Sequence, residues 1–126
     1  MAELESFSFG DSPDLADELL ELVVVGKKTA TSGAASEGDK GVAVGKRWIV
    51  KDSRGRPGAI LETVELGRRR FGEVDAAFAH DEGEGDRSLD DWQRMHTAYF
   101  TRRREFSLDM ELYCERFRLI VILKRE

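Results

Sequence analysis

The sequence predicts an α+β fold, a mixed sheet or small barrel carrying two main helices. Two amphipathic helical segments stand among five or six strand-like runs, interleaved without the regular βαβ alternation of a parallel sheet. A length of 126 residues fits one domain, 1–126, with no linker or internal repeat to divide it. Such a chain buries roughly two-thirds of its unfolded surface, enough to fold without metal or disulfide.

The first helix is predicted over Pro13–Val25. Ser12 suits the N-cap and Pro13 the first helical position, and Asp14, Asp17 and Glu18 complement the helix dipole. Leu15, Leu19, Leu22 and Val23 form one apolar stripe, and Gly26 ends the helix as a left-handed residue. A short extended piece through Thr29–Thr31 follows, then a loose Gly-, Ala- and Ser-rich stretch around Ala34–Gly41. Arg47–Lys51 and Ala59–Glu65 read as strands joined by the turn-forming DSRGRP. Phe71–Ala79 holds a short helical turn, with Val74 and Phe78 one turn apart. A second helix opens at Ser88, where Asp91 completes a capping-box-like start. Its apolar side is Leu89, Trp92, His96, Tyr99 and Phe100. Met110–Leu123 reads as strand, and its apolar parity flips near Glu115, predicting a bulge or tight turn there.

The net charge is −5, from 20 basic and 25 acidic residues, which argues against a general basic nucleic-acid coat but leaves room for a local basic cleft. The charge is distributed in blocks. Residues 1–25 hold seven acids and no base, 26–72 a local excess of +6, 73–91 eight acids and one base, and 92–126 an excess of +3. Such blocks build either a cleft with one cationic and one acidic wall or ion pairs across the surface. Cys114 is the only cysteine, so an intramolecular disulfide is impossible; in a core strand its expected role is packing. The acidic N-terminal stretch has no apolar h-region, and Val23–Val25 and Leu119–Leu123 are too short to span a bilayer. A soluble cytoplasmic protein with no membrane partner is expected.

Two motifs concentrate chemistry. Gly26–Ser32, GKKTATS, gathers two ammonium groups and three hydroxyls at the exit of the first helix. It lacks the P-loop spacing; it either holds a phosphate or base edge or caps the helix with lysines. Asp81–Ser88, DEGEGDRS, alternates carboxylates with glycines ahead of the second helix cap. The glycines allow carboxylates to converge, although an acidic turn serving the helix N-terminus explains the same pattern, and the EF-hand spacing does not fit. His96 lies one turn from Trp92 on the apolar stripe. Arg68–Arg70 and Arg102–Arg104 are basic triplets, solvated or in contact with phosphates.

Together these motifs resemble the ASCH domain family. The likeness covers most of the chain: FSFGDSPDLADELLELVVVGKKTAT, SRGRPGAI, DEGEGDRSLDDWQRMHTAYF and ERFRLIVIL. Gly26, Lys28 and Thr31 look like the family's G-x-K-x-x-T motif. The resemblance implies a PUA-like small mixed β-barrel with two covering helices and a cleft that takes RNA, a nucleotide or a nucleoside. Some small relatives deacylate acetylated cytidine with a lysine, a threonine and a glutamate, and others have been assigned ribonuclease activity. By motif position the three residues fall on Lys28, Thr31 and Glu82, with Glu84 two residues from the last. In that chemistry Thr31 attacks an amide carbonyl, a neutral Lys28 takes its proton, and Glu82 either orients the amine or shuttles the proton to the leaving group. Lys27, Thr29, Ser32, Glu84, Asp86, Arg87, Ser88, Trp92 and His96 are the expected ligand-binding positions, with neither metal nor cofactor. The stretch Gly33–Val44 is small and polar where aromatic or proline residues are expected in this branch, leaving Trp48 or Trp92 as the stacking partner of a base.

Two functions follow: a nucleotide- or RNA-binding module, or a hydrolase acting on an acylated nucleoside or on RNA. A weaker third is an acidic protein-interaction domain with no small ligand, which a Lys28 pointing into bulk water far from Glu82 would favour.

Overall fold

The computed structural model describes residues 4–38 and 41–124. Five strands form one mixed sheet in the order β1-β3-β4-β5-β2, curled into a half-barrel. The strands are β1 (Glu5–Phe7), β2 (Ala30–Ala34), β3 (Arg47–Lys51), β4 (Pro57–Arg70) and β5 (Glu111–Ile122). β1 runs parallel to β3, and the other pairings are antiparallel. Three α-helices accompany the sheet: α1 (Pro13–Val24), α2 (Ala76–Glu82) and α3 (Leu89–Arg102).

The ends of α1 follow from its sequence. Ser12 Oγ accepts from Leu15 N at 3.2 Å, and Pro13 fills the first turn. At the other end Gly26 has φ +83°, and its N–H donates to Val23 O while Lys27 N–H donates to Leu22 O. That pair of bonds is a Schellman closure. It makes Val25 the cap, one residue short of the predicted helix end.

Two apolar clusters form. α1 packs Leu19, Leu20 and Val23 with Phe9, Val50, Leu61 and Phe117. α2 and α3 pack Phe78, Trp92 and Phe100 with Phe71, Leu112 and Cys114. β5 therefore serves the second cluster with Leu112 and Cys114 and the first with Phe117, residues of opposite parity. This is the physical origin of the predicted parity flip: helices cover the two faces of the strand in turn, so β5 needs no extra residue at Glu115. The bulge expected there lies instead on the partner strand. Thr63 pairs with Phe117 and Glu65 with Arg116, leaving Val64 of β4 over. A second irregularity leaves Ile120 over, between the pairs Ile60–Val121 and Leu61–Leu119.

β4 also runs five residues past its predicted end, because Leu66–Arg70 pair with Glu111–Glu115. The helical segment expected over Phe71–Ala79 divides into a 3₁₀ turn at Phe71–Glu73 and α2, capped by Asp75. In the stretch expected to be loose, β2 reaches Ala34 and a 3₁₀ turn covers Ala35–Glu37; Asp39 and Lys40 lie outside the described residues.

Candidate functional site

The Schellman end of α1 delivers Lys28 to the interior, and three contacts tie that turn to the acidic loop. Thr29 N–H donates to Asp81 O at 2.7 Å. Gly83, in the left-handed conformation, passes so close that a Cβ would stand 2.3 Å from Lys27 O, an approach open only to glycine. Arg87, also left-handed at φ +69°, donates from Nε to His80 O at 3.0 Å and from Nη2 to Lys27 O at 3.2 Å. A non-glycine residue holds such a backbone only when its surroundings fix it.

These ties bring together groups 54 residues apart in the chain. Lys28, 2% exposed, donates from Nζ to Glu84 Oε2 at 3.1 Å, Glu82 O at 3.3 Å and Glu82 Oε1 at 3.4 Å. Glu82, 1% exposed, accepts on Oε2 from Trp92 Nε1 at 2.7 Å and Ser32 Oγ at 2.8 Å. His96 Nε2 stands 3.6 Å from Glu82 Oε1, and its ring stacks on Trp92 at 4.2 Å. His96 Nδ1 lies 3.0 Å from Trp92 O, a carbonyl that can only accept.

Burial by itself would raise the Glu82 pKa, but the charges of His96 and Lys28 and the hydrogen bonds from His96 and Trp92 hold it well below the usual carboxylate range. Burial opposes charge on His96 too, yet the Glu82 carboxylate raises its pKa above the ordinary imidazole value. Glu82, Glu84 and His96 offer ligand atoms within 4.8 Å of one another, spacing suited to a cation. The Lys28 ammonium bonds both carboxylates of that trio.

The cluster floors a cleft of two joined chambers. The first, of about 290 Å³, is lined by Lys28, Ser32, Glu82, Glu84 and His96, with Phe9, Tyr99, Arg94 and Arg102 also in its wall. The second, of about 240 Å³, is lined by Phe7, Leu66, Tyr113 and Glu115. Phe9, Gly10, Thr31, Ser32 and Tyr99 belong to both. Among the described residues, none engages the Thr31 hydroxyl in a hydrogen bond. Burial pushes the Glu115 carboxyl pKa up, against the hydrogen bond from Thr63 and the charge of Lys28.

The expected site residues thus divide. Lys28, Thr31, Ser32, Glu82, Glu84 and His96 line the cleft. Trp92 is buried behind it and holds Glu82. Lys27 and Thr29 are exposed, outside either chamber. Asp86 Oδ1 accepts from Ser88 N, and Ser88 Oγ caps α3, while Arg87 is spent on backbone carbonyls. Neither tryptophan lines a chamber, Trp48 being 8% exposed and Trp92 1%; the aromatic residues common to both chambers are Phe9, itself buried beneath the Lys28 ammonium, and the half-buried Tyr99. The sequence marks Glu115 only as the point where the apolar parity of β5 flips and not as a site residue; an acid between the two apolar runs of that strand is its signal.

The charge blocks resolve mostly into surface pairs, Arg47 and Arg118 with Glu62, Arg68 with Glu111 and Arg69 with Asp75. Lys28 is enclosed on Glu82, not turned to bulk water as would favour a ligand-free interaction domain.

Comparison with known proteins agrees with this architecture. The family model described as "ASCH domain" matches residues 5–121. The chain belongs to the ASCH domain family. An ASCH domain from Lactobacillus crispatus JV V101 superposes with a TM-score of 0.85 at 30% identity, covering 92% of this chain and 79% of that one. A protein from Enterococcus faecalis V583 also gives 0.85, at 29% identity, over 97% of this chain and 79% of its own. A third solved structure, at 15% identity and a TM-score of 0.62, covers 82% of this chain and 92% of its own and shares the fold alone. No curated protein matches. Among the described residues of this ASCH domain, no helix is long and apolar enough to cross a membrane.

Proposed function

We propose that this ASCH domain binds a nucleotide or nucleoside, free or as an exposed base of RNA, in the two-chambered cleft. The observation that carries the reading is the buried Lys28–Glu82 pair set in a cleft floor between aromatic side chains. A buried ion pair adds little to stability over apolar packing of the same volume, so its place in a cleft wall points to recognition. The half-buried Tyr99 supplies a face for a planar ring. Ser32, Thr31 and Glu84 supply hydrogen-bonding groups for base edges or ribose hydroxyls, and Arg94 and Arg102 supply cations for phosphate. Calorimetric titration with ribonucleoside monophosphates, acetylated cytidine and a short single-stranded RNA tests it. Binding that weakens at least tenfold in a folded Lys28→Ala variant supports the reading. No binding of any of these ligands at millimolar concentration refutes it.

The unengaged Thr31 hydroxyl favours one second reading, a hydrolase acting on acylated cytidine-type nucleosides or on RNA. Lys28 already donates to three oxygens, one for each ammonium proton. It takes a proton from Thr31 only after handing one of its own to Glu82 or Glu84. Product release from acetylated cytidine or RNA that disappears in both Lys28→Ala and Thr31→Ala would establish turnover. Intact binding without product would leave the binding module alone.

A further inference from the structure

The second chamber is lined by a carboxylate, Glu115, that takes one side-chain hydrogen bond, from Thr63. Glu115 lies in the middle of β5, opposite Thr31 of β2 on one side and Leu66 of β4 on the other, so ladders on both sides hold its backbone. Residues paired across strands project to the same face with Cβ atoms about 5 Å apart, and Thr31 and Glu115 both line the chamber. The fully buried Thr63 donates its hydroxyl to Glu115 Oε2. Among the described residues no cation pairs with Glu115. Its neighbour Arg116 is engaged with Asp81 and Glu65, and Lys28 is committed to Glu82 and Glu84. A carboxylate has about four acceptor positions; Thr63 fills one, and Glu115 lines the chamber where a ligand's donors can reach the others.

We propose that the second chamber is a base-reading subsite in which Glu115 and Thr31 select a base edge bearing adjacent hydrogen-bond donors, guanine above the others. The inference rests on the nucleotide reading and orients the ligand within the cleft. An ionised carboxylate only accepts. Guanine offers it N1–H beside the N2 amine, and O6, next along the same edge, accepts from the Thr31 hydroxyl. Cytosine and adenine set a ring acceptor beside their amine, and uracil flanks its single N–H with two carbonyls, so each leaves a group opposed or unfilled. Phe7 and Tyr113 enclose the base. The ribose then crosses the shared wall at Thr31 and Ser32, and the phosphate lies toward Arg94 and Arg102.

The test is calorimetric titration of the four ribonucleoside 5′-monophosphates, with inosine monophosphate as a fifth probe. The guanine nucleotide is expected to bind at least tenfold tighter than the cytosine nucleotide. Inosine monophosphate, which lacks the 2-amino group, is expected to bind several-fold more weakly than the guanine nucleotide, a comparison needing no variant. Glu115→Gln, checked for folding by circular dichroism, should cost the guanine nucleotide at least tenfold and the cytosine nucleotide less than about threefold. Equal affinity for all bases, no penalty for inosine, or a Glu115→Gln variant that keeps its guanine preference overturns the subsite and leaves the nucleotide reading standing. Failure of all five to bind overturns the subsite, and it removes the nucleotide reading as well when acetylated cytidine and the short RNA also fail.

Discussion

Lys28 and Glu82 owe their importance to enclosure. Each neutralises a charge that the interior would otherwise expel, so removing one strands the other. Lys28→Met and Glu82→Gln are each expected to destabilise the fold by about 3–5 kcal/mol in urea denaturation. The double substitution should cost well under the sum of the two, the signature of a direct interaction. The pKa directions of Glu82 and His96 predict where stability peaks. Glu82 titrates below its ordinary 4.5 in the folded state, so its contribution is present above that pH and is lost as acid approaches the folded value. His96 titrates above its ordinary 6.5, so its contribution is complete below that pH and disappears as pH rises through the folded value. Urea midpoints should therefore be highest between these two pH values, and His96→Gln should flatten the alkaline side. Had the midpoint kept rising through mild alkali, the imidazole would not be carrying charge.

At the level of elements, the helices were the most legible parts of the sequence, because caps and apolar stripes are local signals. Ser12, Gly26 and Ser88 lie beside the ends they set. The strands were less so. Gly67 and Arg68–Arg70 carry no strand pattern, and they extend β4 only because β5 pairs with them. The bulge was displaced to Val64 for a related reason, since sequence reveals the parity change in β5 but not which partner takes the surplus residue. The loop from Gly83 to Ser88 reads as an acidic turn, and its task of pressing α2 against the exit of α1 emerges only in three dimensions. Gly83→Ala makes that task measurable. A Cβ there meets backbone, so the variant is expected to lose more than about 1 kcal/mol beyond an ordinary glycine substitution. It should also weaken nucleotide binding without altering any group that lines the cleft. Unchanged affinity in a folded Gly83→Ala protein would show that the loop does not position Lys28.

Across the whole molecule, the site depends on contacts remote in sequence. Only the family likeness put Lys28 and Glu82 together. Nothing local indicated that Thr31 would face Glu115, because the β2–β5 pairing joins segments more than 80 residues apart. Nor could the sequence show that most surface arginines would find acids, among them the two at the cleft, Arg94 with Asp91 and Arg102 with Asp11.

Cys114 lies 6% exposed beneath α2 and α3, with burial raising its thiol to about 11, so the native protein presents almost no thiolate to an alkylating reagent. Modification then proceeds through transient separation of those helices from the sheet, and its rate is a clock for that opening. A bound nucleotide spanning Ser32, Tyr99 and His96 would hold the same elements together. Alkylation of the single thiol, followed by mass spectrometry, should slow in proportion to occupancy, which turns a residue with no part in recognition into a reporter of it.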